Sequence, residues 1–340
     1  MSVEEVRGTS VGDLPGRGKL LVYGLGGVFW TWLSARWAYH NTLVDAVVTA
    51  LGAPDLIRSE QGVRSRTPWI PTEPFERVAA GLGELSASLG PFGVVVDPVA
   101  GLFELAAFAT GTGPALAEGA FVTVYLTVLS LALGLVIAVP LSVARTYGGR
   151  ASATVSLAYT ELIRGTPLLA QLFLLQFGLS LSSYFDRLWF VSEAGIPNAP
   201  AFVAIVGFTI NSAAYQSEYI RSALSSVDSG QLVAARSIGL SRLAGIRHVV
   251  LPQGLRYAIP GWTNEFVYLI KYSSLAAFIT VPELFRRARN IGSDTFQFTD
   301  VYVVAAVFYL ILVLTAAAGM GVLERRVAVP GVGDGSTDAD

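Results

Sequence analysis

The sequence predicts an all-α, polytopic membrane protein, and three observations support that reading. Only 14% of the residues are charged while 53% are hydrophobic, whereas a water-soluble domain carries about 25% charge. So little charge leaves much of the surface to be covered by lipid. Mean hydropathy is +0.56. Several stretches also reach the roughly 20 apolar residues that a helix needs to cross a bilayer.

Candidate spans lie at about 19–39, 118–143, 158–180, 200–216, 262–281 and 300–322. The first is rich in Trp and Gly and follows Arg17 and Lys19. It is interrupted by Arg36 and lacks a clear small-residue cleavage site, so it reads as a retained helix rather than a leader. Trp30, Trp32 and Trp37 read as an interfacial belt. The second span has no charge between Glu118 and its far end. The third begins polar and contains Arg164-Gly165-Thr166-Pro167. Pro167 lacks an N–H, so a short interfacial piece followed by the span is expected there. The stretch 91–109 is apolar but holds Asp97 and Glu104, and it reads either as a span or as an interfacial or re-entrant segment. Residues 52–77 read as an irregular loop, and 328–340 as an acidic, flexible tail. No internal repeat is evident.

Orientation follows the lysines and arginines of short loops. Arg145, Arg150, Arg221, Arg236, Arg242, Arg247, Arg256, Arg325 and Arg326 lie on one side, against Arg187, Arg286, Arg287 and Arg289 on the other. The first set is expected to face the cytoplasm, with both termini inside and six spans between them.

Much chemistry is excluded. A net charge of −2 offers no basic face for nucleic acid. There is no cysteine, and His40 and His248 lie far apart, so thiolate chemistry is ruled out and no metal site is expected. None of HExxH, GxSxG or GxxxxGK[ST] occurs, so neither a hydrolase nor a P-loop is legible.

The informative segment is cytoplasmic in this scheme, within about 45 residues between Gln216 and Trp262. Gln231 lies in a helical pattern that Gly239 interrupts. Ser241 can cap a second short helix from Arg242. Leu251-Pro252 is expected to end that helix. The product is a bent pair of helices, Gln231 to Pro252, with an apolar side and several cations.

At these residues the chain resembles the permease subunits of ATP-binding-cassette importers. Their coupling loop reads Glu-Ala-Ala, three residues, Gly, nine residues, Ile-x-Leu-Pro. Ala234, Ala235, Gly239, Leu251 and Pro252 match it, with Val249 in the Ile place and Val233 in place of the glutamate. Flanking motifs resemble the polar-amino-acid subfamily (histidine, glutamine, arginine and opine permeases). These are Arg164 to Leu169 with Gln171-Leu172-Phe173, Asn211 to Tyr215 with Glu218 and Arg221, Asn264-Glu265-Phe266, Lys271-Tyr272-Ser273-Ser274-Leu275 and Val281-Pro282-Glu283-Leu284. Tyr272 replaces an acidic residue of that subfamily.

The resemblance covers about 117–327 and implies a five-helix permease core, with a coupling loop at 229–256. Residues 1–116 add at least one N-terminal helix. It implies uptake of a polar amino acid through the cytoplasmic membrane. The implied partners are two separate ATPase subunits, a second permease copy or paralogue, an extracytoplasmic substrate-binding protein and the lipid bilayer. ATP and Mg would bind the ATPase subunits, and this chain would bind no cofactor and be no enzyme.

In that scheme Gln231, Val233, Ala234, Ala235, Arg236, Gly239, Arg242, Leu251 and Pro252 form the ATPase-coupling surface. Polar groups in or near spans default to functional hypotheses, which makes Asn211, Glu218, Asn264, Glu265 and Lys271 candidates for the substrate path or its gate. Lys271 could instead sit in a buried Lys–carboxylate pair that only packs helices, and Glu218 could simply pair with Arg221. Arg164, Gly165, Thr166 and Pro167 form either a helix start or an elbow that transmits motion. An ion-driven transporter would also explain an intramembrane lysine, but it would not need the coupling loop.

Overall fold

The computed structural model describes residues 16–40, 42–52, 68–187 and 198–327. The polar first residues and the acidic tail, 328–340, lie outside them, as does most of the loop read at 52–77. Among the described residues every regular element is helical.

Helix α1 (Gly16–His40) and the short α2 (Thr42–Ala50) come first. Helix α3 (Glu73–Leu89) begins inside the stretch read as a loop, because Pro74 lies within its first turn, where a missing N–H costs nothing. Gly90, at φ +54°, ends it, and a tight turn, Gly90–Val95, leads into α4 (Asp97–Tyr147).

Helix α4 corrects the reading of 91–109. Residues 97–109 are neither a separate span nor a re-entrant loop; they are about the first quarter of a 51-residue helix. Asp97 sits in the first turn, where a carboxylate suits the helix dipole, and it accepts the Ser86 hydroxyl. Glu104 is exposed. At 1.5 Å per residue α4 is roughly 76 Å long, more than twice the hydrocarbon thickness of a bilayer.

The span read at 158–180 is also different. Helix α5 (Arg150–Arg164) is the longer piece and ends at Gly165. After the break, α6 (Leu168–Phe173) runs on as a wide turn to Gly178. The break falls at the proline as expected, but the pieces before and after it are reversed in length. A single turn, α7 (Ser182–Phe185), follows.

Helix α8 (Ala199–Ser225) is the hub of the bundle. It crosses α4 at Gly134, where an added Cβ would lie 2.7 Å from Gln216 Nε2. Polar groups bridge the two helices: Ser142 Oγ donates to the Ser217 carbonyl at 2.8 Å and Gln216 Nε2 to that of Leu131 at 3.0 Å. Small residues and interhelical hydrogen bonds hold helices together where lipid leaves little hydrophobic driving force.

Then come α9 (Ser229–Ser237), α10 (Arg242–Gly245), a wide turn to Val250, and α11 (Leu251–Tyr257). Helix α12 (Ile259–Tyr272) tightens into a 3₁₀ segment, Ser273–Ile279. Helices α13 (Leu284–Thr295) and α14 (Phe298–Val327) close the fold. Among the described residues, the segments 73–95, 97–147 and 298–327 are by themselves long and apolar enough to cross a membrane.

Position along α4 sets the two ends of the bundle. Around Gly111 and Gly119 it meets Thr72 and the start of α13. From Ala138 to Tyr147 it meets the end of α8 and the α9–α11 segment.

Helix α1 is part of this bundle. Trp30 Nε1 donates to Thr315 Oγ1 of α14 at 2.9 Å, and Phe29 meets Phe308 edge-on, with centroids 5.4 Å apart. Trp37 stacks on Phe121 of α4. The tryptophans read as an interfacial belt therefore build a helix–helix seam. Arg36 is 4% exposed, interacts electrostatically with Glu118 and lies over the Trp69 ring. Glu118 also pairs with Arg287 of α13 at 3.0 Å.

Candidate functional site

The bend is built from local capping. Asp228 starts α9 by accepting the Gly230 N–H at 2.6 Å, a cap not anticipated from the sequence. At the far end Gly239 adopts φ +93°. Its N–H reaches the Arg236 carbonyl at 3.0 Å, and the Leu240 N–H reaches that of Ala235 at 3.1 Å. This pair of bonds is a Schellman stop, and it needs a residue at ease at positive φ. Ser241 then caps α10 by accepting the Ala244 N–H, as expected.

Ala235 is buried against Gly245, whose added Cβ would meet Ala235 Cβ at 3.4 Å and Leu232 Cδ1 at 2.9 Å. The second alanine of the motif is therefore a packing residue. Leu251-Pro252 does not end the helix. Proline occupies the first turn of α11, where it needs no N–H donor, and the helical path continues to Tyr257.

The bend is anchored and also open. Val250 and Ala258 join Ala138, Ile220 and Leu224 in one apolar cluster, tying the segment to α4 and α8. Facing away, Val233 is 64%, Ile238 81% and Leu243 71% exposed. Gln231, Ala234, Arg236 and Arg242 are exposed among them. Val233, where the signature has glutamate, thus adds an exposed apolar side chain to a bend that also exposes Arg236 and Arg242.

The substrate-path candidates do not converge. Glu218 lies near the bend and accepts from Arg145 at 2.8 Å and from Arg221 at 3.0 Å, clamping α4 to α8. The expected pairing with Arg221 is present, and Arg145 is a second partner missed from the sequence. Asn211 and Glu265 are 8% and 4% exposed, inside the bundle. Asn211 donates to Gln171 Oε1 at 3.3 Å, and Glu265 lies within hydrogen-bond reach of the Ser212 hydroxyl.

Asn264 and Lys271 are exposed on α12, as are Tyr268 and Tyr272. The two tyrosine rings stack at 5.7 Å, and Lys271 Nζ lies 5.8 Å from the Tyr268 centroid. No carboxylate pairs with Lys271 among the described residues, so the buried Lys–carboxylate pair is absent.

The elbow is held by Gln171, quoted in the motif but given no role. Its amide donates to the carbonyls of Ile163 (2.7 Å) and Thr166 (3.2 Å) and to Thr166 Oγ1 (2.8 Å). The two carbonyls are groups whose regular helical donors the break at Pro167 removes. Arg164 lies over the Tyr215 ring of α8, 5.1 Å from its centroid. Glu283 was likewise unassigned. It is fully buried, caps α13 through the N–H groups of Phe285 and Arg286, and accepts the Tyr309 hydroxyl at 2.8 Å. A glutamate directly before a helical pattern was the available signal.

A helical bundle with a broken span and a rigid, partly uncovered bend between two spans has the architecture of a transport permease that works with a partner. Residues 112–329, more than half of the chain, match the family described as the binding-protein-dependent transport system inner membrane component, and the chain belongs to that family. It is a membrane protein. It is similar to the probable amino-acid ABC transporter permease protein YckA of Bacillus subtilis (37% identity, covering 63% of this chain and 90% of that protein). It is similar also to the glutamine transport system permease protein GlnP of Escherichia coli K12 (37%, covering 64% and 94%).

A solved amino acid ABC transporter with histidines superposes with TM-score 0.53 at 31% identity, over 63% of this chain and 94% of that one. The MetNI methionine ABC transporter, at 20% identity and TM-score 0.54, shares the fold.

Proposed function

We propose that this chain is the path-forming subunit of an amino-acid importer and that the α9–α11 bend is its handle for a separate ATPase. The observation that carries the reading is the exposure of Val233, Ile238 and Leu243 on a capped bend that is anchored at one end of the bundle. Exposed apolar side chains on a segment that also exposes arginines suit a protein partner. The names of similar proteins, among them glutamine and cystine transport permeases, support an amino acid as cargo.

ATP and Mg would bind the ATPase subunits, two in number, and hydrolysis there would shift the bend. Because Val250 and Ala258 tie the bend to α4 and α8, motion would pass into the spans. The elbow at Arg164–Pro167 would pass it on to α8 through Tyr215 and Asn211. The arginine-rich bend faces the cytoplasm in this reading, with both termini inside and the binding protein docking at the α13 end.

The exposed face of α12 supports a second permease, a copy or a paralogue. A lysine in a span is costly against lipid. Asn264, Tyr268, Lys271 and Tyr272 are better placed facing a path shared between two subunits. Glu218 is a clamp in this scheme, and Asn211 and Glu265 support the path wall from within.

The test is co-purification of the ATPase with the permease carrying V233D, I238D and L243D together. The ATPase should be lost while the permease still inserts into the membrane. Undiminished co-purification would overturn the proposed docking.

A further inference from the structure

Helix α1 lies outside the family-matched residues 112–329, yet it completes a feature of the bundle. It crosses α14 at Gly26, where an added Cβ would lie 2.5 Å from Thr315 Cγ2. Beside this crossing a partly open cavity of about 220 Å³ lies between α1, α4, α12 and α14. Trp30 forms the α1 wall, Thr127 and Phe266 face it from α4 and α12, and Thr315 and Gly319 belong to the α14 wall.

Each polar group in that wall is already engaged. Trp30 Nε1 donates to Thr315 Oγ1, which donates in turn to the Ile311 carbonyl at 2.7 Å. The Thr127 hydroxyl donates to the Thr123 carbonyl at 2.9 Å. Among these lining side chains no hydrogen-bond donor is left free for water or a polar ligand. An apolar cavity of about 150 Å³ already stays dry and accepts small hydrocarbons, and this one is larger.

We infer that the seam between α1 and α14 is a binding site for one acyl chain of a phospholipid. Leu25 and Val28 of α1 are 65% and 71% exposed, so this helix lies at the bundle's lipid-facing edge. Lipid is the hydrocarbon at hand in that position. Exposed Arg325 and Arg326 follow Gly319 on α14, roughly 9–11 Å further along the axis. With Glu324 beside them they still leave net positive charge where the phosphate of such a lipid would lie. A site walled by α1 is an addition to the family core and belongs to this chain's N-terminal segment.

The experiment uses the full chain in detergent with every tryptophan except Trp30 changed to Phe. It is titrated with phosphatidylglycerol brominated at mid-chain, because bromine quenches indole fluorescence on contact. Quenching should saturate near one lipid per chain. Gly319→Leu places its side chain in open space, since nothing lies within 4 Å of an added Cβ, and it should cut the saturable quenching at least fivefold. Gly319→Ala, a milder filling of the same space, should give an intermediate loss. A chain retaining only Trp37, which stacks on Phe121 away from the cavity, should show no saturable phase. Linear quenching without saturation, equal quenching of Trp30 and Trp37, or no effect of either Gly319 variant would overturn the site. Saturation by a brominated fatty acid but not by the phospholipid would overturn the assignment of the ligand.

Discussion

Gly239→Ala isolates the geometry of the bend from its surface chemistry. Gly239 sits at φ +93°, and nothing lies within 4 Å of an added Cβ. The substitution therefore creates no clash, and its whole cost is conformational. Forcing an L-residue into the left-handed region costs about 1–2 kcal/mol. If the chain instead relaxes, the bonds from the Gly239 and Leu240 N–H groups to Arg236 and Ala235 are lost, a loss of about 1 kcal/mol each.

Either route lowers the ratio of native to relaxed bend by a factor of roughly 5–30. If only the native bend docks, the apparent affinity for the ATPase falls with the native fraction, by up to this factor for a bend that is only marginally favoured. The assay is a titration of detergent-solubilised permease with purified ATPase subunits, with hydrogen exchange of residues 229–257 as a check on the bend. Gly239→Asn should fall between Gly and Ala, because Asn enters the left-handed region more readily. Unchanged affinity in Gly239→Ala, with faster exchange across the bend, would show that docking does not depend on this geometry.

The remaining predictions concern the spans. Glu218→Gln breaks the ion pairs to Arg145 and Arg221; it should lower the melting temperature by a few degrees, for a loss of about 1 kcal/mol between partly exposed groups. Amino-acid affinity of the assembled transporter should stay unchanged, and a large drop in affinity with unchanged melting would return Glu218 to the substrate path. Gln171→Leu removes the amide donor to the Ile163 and Thr166 carbonyls, at a cost of about 0.5–1.5 kcal/mol; uptake in proteoliposomes should fall while ATPase binding persists. Lys271→Met removes the exposed cation of α12 and should impair uptake without affecting ATPase docking, and undiminished uptake would remove Lys271 from the path.

The sequence was most legible where structure is local. The helix–Gly–helix bend could be placed because its caps are short-range: Gly239 is the residue for a Schellman stop, and Ser241 reaches three residues ahead. Pro167 announced the broken span for the same reason. The spans read at 118–143 and 300–322 were readable because crossing a bilayer imposes a length and a composition, whatever the neighbours are; both fall within helices long and apolar enough to cross.

Tertiary structure alone decided what each polar residue does. Glu218, Lys271 and Glu265 look alike in sequence, as charges in or near spans. One is a clamp whose partner Arg145 lies 73 residues away, one is exposed beside a tyrosine, and one is buried. Periodicity cannot report a partner on another helix, so these assignments had to wait for the packing. The same reason hid the seam of Trp30 against Thr315, 285 residues apart. A composition can announce that helices will cross the membrane, but only their crossings show which side chains meet and which face is left for lipid or a partner.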